Sequence, residues 1–341
     1  MDLKLKKLKL SRKAVLFSLI SVLFSVLFIT IFSQNFNTLY EDRIPGSNIR
    51  IKVIDTYVRN FETYLGDSTQ VSTYRTLDAI TNYSYNKHKF FADFNSFNKT
   101  FHDCMICNRV DCSNVGSDSC GLGLYYLDAR LRNITTLSNQ QLNINTTYHI
   151  NSISIEQRLA FEVEVTINIS YNITDNSDEK YYAKWSKETI ITQPVSIIGL
   201  LEPTGNINDS TDRYNRTIKR YKGICESNDA CWNAVNTEEF YKDYSFRLYQ
   251  NSTSFLQRYW NDNSPSSCCG IETILHPSEL PVPPDGNRSY IEHYYWNDAY
   301  TCSGGKTISV YNISYDNVSL DSGTAARYGL TDSDVVGIVC R

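Results

Sequence analysis

The sequence lacks the short motifs that mark common catalytic machinery. No G-x-S-x-G elbow, H-E-x-x-H helix, Walker loop, Rossmann fingerprint or EF-hand loop occurs in its 341 residues. Histidine is scarce. The five present (His88, His102, His149, His276 and His293) are scattered, with none four residues from another and none beside a plausible nucleophile. His293 lies in the aromatic run Tyr290–Trp296, where a core or interface role is expected. Cations are also scarce beyond residue 13, where 27 Lys and Arg face 36 Asp and Glu. Such an acidic bulk lacks the clustered basic face that nucleic-acid binding needs. Hydrophobic residues at 41% and aromatics at 13% exclude a disordered chain.

Charge is absent altogether from Ala14 to Ser33, a run of 20 residues. As a helix it is long enough to cross a hydrocarbon core of roughly 30 Å. Residues 1–13 in front of it carry six cations and one anion. The positive-inside rule places this tail in the cytoplasm and everything after Ser33 outside. A cleaved signal needs small residues at the cut, and Ser33-Gln34-Asn35-Phe36 offers no such site. The expected organisation is a basic tail at 1–13, a transmembrane anchor at 14–33 and a polar linker at 34–48. A C-terminal ectodomain would then stand outside a cell membrane, with the lipid bilayer as the first partner.

Cysteine is missing from the first 103 residues. All ten cysteines (Cys104, Cys107, Cys112, Cys120, Cys225, Cys231, Cys268, Cys269, Cys302 and Cys340) follow the apolar segment. An even number on the translocated side reads as disulfides in an oxidising compartment, with connectivity left open. The C-x2-C-x4-C-x7-C spacing of Cys104–Cys120 also suits four zinc thiolates, but outside the cell a disulfide knot is expected, with no metal and no cofactor. Cys268-Cys269 has the makeup of a reactive vicinal pair, but two disulfides to different partners are expected. Twelve N-x-[ST] sequons also lie on this side: Asn82, Asn98, Asn133, Asn145, Asn168, Asn172, Asn208, Asn215, Asn251, Asn287, Asn312 and Asn317. They are candidate glycan acceptors.

The pattern of the ectodomain is α+β. Ser47 can cap a helix with Ile51, Ile54, Val58, Phe61 and Leu65 on one stripe and Gly66 as its stop. A second helical stretch is expected near Ser72–Tyr83, then an irregular Cys-rich insertion over 86–122. Period-two alternation from Ile153 to Ile173 predicts one long strand, or two joined by a bend, with Asn168 and Asn172 on the polar face. The partner strand would run through Tyr181–Leu200, with Pro194 at an edge or bulge. This first region is taken as 49–205 and a second β-rich, disulfide-bonded region as 206–341. In the latter, Thr237–Trp260 has mixed helical character. A hairpin is expected between Tyr290–Cys302 and Lys306–Leu320, turning on Ser303-Gly304-Gly305. A short helix near Ser322–Tyr328 and a strand at Val335–Val339 close the chain. The 25 tyrosines suit either sheet cores or an aromatic contact surface.

Lys13-Ala14 followed at once by an apolar helix, an amphipathic helix and a β-rich head resembles archaeal type IV pilin-like surface proteins. That resemblance implies processing between Lys13 and Ala14 and homo-oligomers formed through the N-terminal helix, although Ser18 stands where pilin subunits often carry Glu. Four stretches are similar to uncharacterised archaeal membrane-anchored surface proteins: Pro194–Pro203, Ser254–Arg258, Gly270–Thr273 and Ser289–Tyr295. The expected function is therefore a single-pass, glycosylated, disulfide-bonded surface protein, non-catalytic, acting in adhesion, recognition or assembly with a protein or glycan partner. Two alternatives are a pilin-like filament component and an anchored extracellular enzyme on cell-wall or glycan substrates. The latter needs a convergent carboxylate or Cys/His pair.

Overall fold

A computed structural model describes residues 46–106, 126–176, 183–209, 213–226, 229–297 and 307–340. The expected basic tail, the transmembrane anchor and Lys13 and Ala14 lie outside these residues. Among the described residues no helix is long and apolar enough to cross a membrane. The fold is α+β with antiparallel sheets. Two compact units divide between Asp55 and Thr56. The described part of the first is the opening of helix α1 (Gly46–Lys87), in which Ile51 is exposed.

The rest of α1 is the spine of the second unit. Helix formation does not end at Gly66, and the two expected helices are one. A Cβ on Gly66 would meet the Gln193 amide at 2.8 Å, so the glycine provides room for a neighbouring strand and is not a C-cap. Ser68, Thr69, Ser72, Thr73 and Thr76 beyond it are wholly buried. Their propensities do not favour a long helix. Burial from more than one side supplies what propensity withholds. Small side chains let neighbours approach closely, and Thr69 and Thr81 donate their hydroxyls back to the Leu65 and Leu77 carbonyls. The helix stops where His88 turns into the left-handed region at φ 47°.

The cysteine-rich insertion is less irregular than expected, because helix α2 (Phe94–Ile106) occupies its first part. Helix α3 (Leu127–Leu142) ends at Asn143, φ 52°, and feeds directly into the sheet. Strands β1 (Ile144–Leu159), β2 (Glu162–Asp175) and β3 (Lys184–Ser196) form an antiparallel meander in that order. The long alternating run is thus two strands reversed at Ala160-Phe161. A bulge between Glu156 and Leu159 takes up one residue, so Ile155 pairs with Val165 and the buried positions stay odd-numbered through the reversal. A second bulge after Ile150 flips the phase. Ile144, Thr146, Tyr148 and Ile150 therefore face inward on even positions, which hid the first half of β1 from the period-two reading. Pro194 sits on the edge strand β3 opposite Glu164, as expected.

The sheet's apolar face lies on α1. Phe61 meets Tyr171 edge-on at 5.2 Å, Tyr57 bonds Thr146 at 2.9 Å, and Glu62 receives both Tyr171 and Lys187 at 2.5 Å. The same Tyr57 hydroxyl donates to Ser138 of α3, and further along the helix Thr73 touches Met105 of α2.

Beyond Leu200 the chain adds helix α4 (Pro203–Asn208), helix α5 (Ala234–Lys242), the short pair β4 (Arg247–Leu248) and β5 (Ile271–Glu272), and helix α6 (Glu292–Tyr295). These are followed by β6 (Ile308–Ile313), β7 (Asp316–Asp321), helix α7 (Ser322–Arg327) and β8 (Val335–Cys340), with sheet order β7-β6-β8. The expected terminal helix and strand are both present. The expected hairpin is not. Residues 292–295 are helical, and the reversal falls at Ser314-Tyr315, with φ 53° and 73°. A primed turn without glycine or asparagine leaves little trace in sequence. The core here is aromatic, with Tyr221, Trp232, Phe240 and Tyr328 in mutual contact.

Candidate functional site

The four short stretches noted in the sequence converge on one guanidinium. Arg258, 1% exposed, sits in a 3-10 turn, Gln257–Trp260. Its Nη1 donates to Glu202 Oε1 at 2.8 Å and lies 2.5 Å from Glu292 Oε2, and its Nη2 donates to the Ile271 carbonyl at 2.6 Å. Glu202 also caps α4, accepting the Thr204 and Gly205 amides at 2.8 and 2.6 Å. Each of the four stretches therefore contributes one ligand to the hub or its central cation.

Burial, together with the neighbouring Glu202 carboxylate, pushes the Glu292 carboxyl well above the usual range despite Arg258.

A second cluster adjoins it. Glu272 accepts Arg247 Nη2 at 2.7 Å, Arg327 Nη2 at 3.1 Å and Tyr328 Oη at 3.0 Å. Burial would raise this carboxyl, but the two guanidiniums hold it below its ordinary range. Arg247 is itself packed 4.6 Å from the Tyr328 ring and 4.9 Å from Trp232. His293, between the clusters, is buried as expected of a core residue, with Nδ1 3.1 Å from Ser252 Oγ. Burial depresses its pKa to about 3, so the ring is neutral. The Ser252–His293 contact has the composition of a catalytic pair. Ser252, however, is 0% exposed and also donates to the Ile271 carbonyl at 2.6 Å. His293 is likewise only 4% exposed.

An open groove of about 350 Å³ borders this scaffold. Phe94, Trp260, Gln157, Ser266, Cys268 and Cys269 are among its walls. Gln157 holds the two sides together by accepting the Leu256 amide at 3.0 Å and donating to the Ala160 carbonyl at 3.1 Å. The rings of Phe94 and Trp260 meet at 5.6 Å. Gly270 closes the loop beneath. A Cβ there would come within 2.3 Å of the Ser252 carbonyl oxygen and 2.4 Å of that of Tyr249.

Cys268 and Cys269 are joined to each other, against the expectation of separate partners. The loop reverses so tightly over Gly270 that no other described cysteine stands beside them. Cys225 and Cys231 form a second disulfide. Cys104, buried near the end of α2, is also disulfide-bonded, which removes the thiolate that a zinc site would need. No described cysteine is free, and among the described residues no group of side chains could hold a metal ion. Cys107, Cys112, Cys120 and Cys302 lie outside the described residues, and Cys340 ends β8.

Of the sequon asparagines, Asn82, Asn133, Asn145, Asn172, Asn208, Asn215, Asn251, Asn287, Asn312 and Asn317 are exposed, whereas Asn98 and Asn168 are half-buried. Asn145, Asn168 and Asn172 share the sheet face turned away from α1, and Asn312 and Asn317 are cross-strand partners. Many tyrosines are in the core, among them Tyr171, Tyr214, Tyr241, Tyr259 and Tyr328, while Tyr315 at the β6–β7 turn is 94% exposed. Sequence reasoning missed Arg258, Glu202 and Glu292. Their only sequence signal was membership of the four stretches. No family model, curated protein or solved structure matches the chain.

Proposed function

We propose that the chain is a single-pass, N-in surface glycoprotein whose head works by recognition or assembly, with the lipid membrane at its N-terminus and a protein or glycan partner at the head. The observation that carries this reading is the state of the cysteines: Cys225 pairs with Cys231, Cys268 with Cys269, and Cys104 is disulfide-bonded. That condition belongs to an oxidising compartment. The apolar run Ala14–Ser33 and the exposed sequons agree with it. The burial of Arg258, Glu202, Glu272 and Glu292 favours a structural role for the charged clusters over catalysis. Deleting Val15–Phe32 should convert the protein from carbonate-resistant membrane material to a soluble form. A full-length chain that is soluble without cleavage would defeat the proposal.

A second reading, a pilin-like subunit, is favoured by α1 lying along the antiparallel meander, with Phe61 against Tyr171. It requires a mature N-terminus at Ala14. Sequencing of the mature protein that finds Met1 intact would remove it.

A further inference from the structure

The Cys268–Cys269 bond is an unusual expenditure of two cysteines. A disulfide stabilises chiefly by closing a loop in the unfolded chain, and the effect grows with the residues enclosed. Adjacent residues enclose none. Cys225–Cys231 closes a separation of six, yet the vicinal pair closes a separation of one. Nor does the loop need the bond to hold its place. Gly270 O accepts the Tyr249 amide at 2.9 Å, the Ile271 amide donates to Thr253 O at 3.1 Å, and the Ser266 amide donates to Ser252 O at 2.8 Å. Arg258 and Ser252 both donate to Ile271 O. The pair lies on the wall of the open groove, with Cys268 exposed and Cys269 buried.

We propose that Cys268–Cys269 is a thiol–disulfide exchange site that accepts electrons from small dithiols entering the groove. Access directs attack to Cys268. A dithiol thiolate bonds to Cys268 Sγ, the Cys268–Cys269 bond breaks, and the electron pair leaves on Cys269 Sγ, which then takes up a proton. The second thiol of the donor attacks its own sulfur in the mixed disulfide and displaces Cys268 as a thiolate. Two electrons reach the protein, and the donor closes into a disulfide.

Ser266 is placed to assist the leaving group. Its Oγ accepts the Cys269 amide at 3.1 Å and lies 3.2 Å from Cys269 Sγ, so its proton is free to point at the departing sulfur. It is a positioning residue for exchange.

The test uses the oxidised full chain in detergent, treated with graded dithiothreitol. Thiols are trapped with N-ethylmaleimide and assigned by peptide mass spectrometry, while near-ultraviolet circular dichroism follows the fold. Cys268 and Cys269 should be labelled at least tenfold faster than Cys225 and Cys231, with the dichroism spectrum retained. Ser266→Ala should slow that labelling severalfold while the near-ultraviolet spectrum is retained. Labelling of Cys225 and Cys231 first, labelling only as the fold melts, or a native peptide joining Cys268 to any cysteine but Cys269 would overturn the proposal. An unaltered rate in Ser266→Ala would overturn the role of the hydroxyl.

Discussion

Lowering the pH from 7 to 5 should withdraw the stability that His293 contributes. The ring is 4% exposed, its Nε2 has no hydrogen-bond partner, and Arg258 and Arg327 add to the cost of a positive charge. Its folded-state pKa of about 3 lies below the 6.5 of the unfolded chain. The stability it contributes is therefore complete above pH 6.5 and is lost as pH falls toward 3. Linkage across that gap gives about 2 kcal/mol lost by pH 5 and about 5 kcal/mol in total. Urea unfolding of the disulfide-intact chain at half-unit steps from pH 7.5 to 5 measures the slope. His293→Gln, which can still meet the Ser252 hydroxyl, should flatten it. Glu272 loses stability only below the ordinary carboxylate range, whereas His276, depressed by burial, adds to the loss and Glu292, raised by burial, opposes it, so the difference between wild type and His293→Gln isolates the ring. An identical slope in His293→Gln would show that the ring is not held neutral by its surroundings.

Three further outcomes follow from packing. Arg258→Met leaves Glu202 without its cation and should cost about 3–5 kcal/mol in the same unfolding assay, partly recovered by adding Glu202→Gln. Gly270→Ala and Gly66→Ala should separate clearly. The first drives a methyl into two backbone carbonyls and should cost more than about 2 kcal/mol, whereas the second displaces only the flexible end of Gln193 and gains about 1 kcal/mol of helix propensity, for a small net change. Glycopeptide mapping should find sugar at exposed Asn172 or Asn312 before Asn98, whose Oδ1 is buried, or Asn168, whose amide is bonded to Asn151 and Glu188.

Local periodicity carried much of the architecture. The stripe of Val58, Phe61 and Leu65, the alternation through β2, and the terminal helix and strand were all readable from spacing. What escaped was set by tertiary contact. Gly66 reads as a stop until Gln193 is known to cross above it, and the reversal at Ala160-Phe161 is silent because a bulge preserves the parity of the buried positions. The hub was opaque for a similar reason. Glu202, Arg258 and Glu292 are far apart in the chain, and each by itself resembles a surface charge. Only folding brings them within 3 Å of one another's partner atoms. The cysteine count pointed to the compartment, but pairing depends on loop geometry, and the tight turn over Gly270 joined two neighbours expected to part.

The central claim is sidedness: a head outside and a basic tail inside. The most direct test is to express the full chain with an epitope at each end and treat intact cells with a membrane-impermeant label, using permeabilised cells as the reference. The account predicts that the C-terminal epitope and the sequon-bearing head are labelled on intact cells, while the N-terminal epitope reacts only after permeabilisation. A C-terminal epitope that stays hidden until the membrane is opened would contradict it.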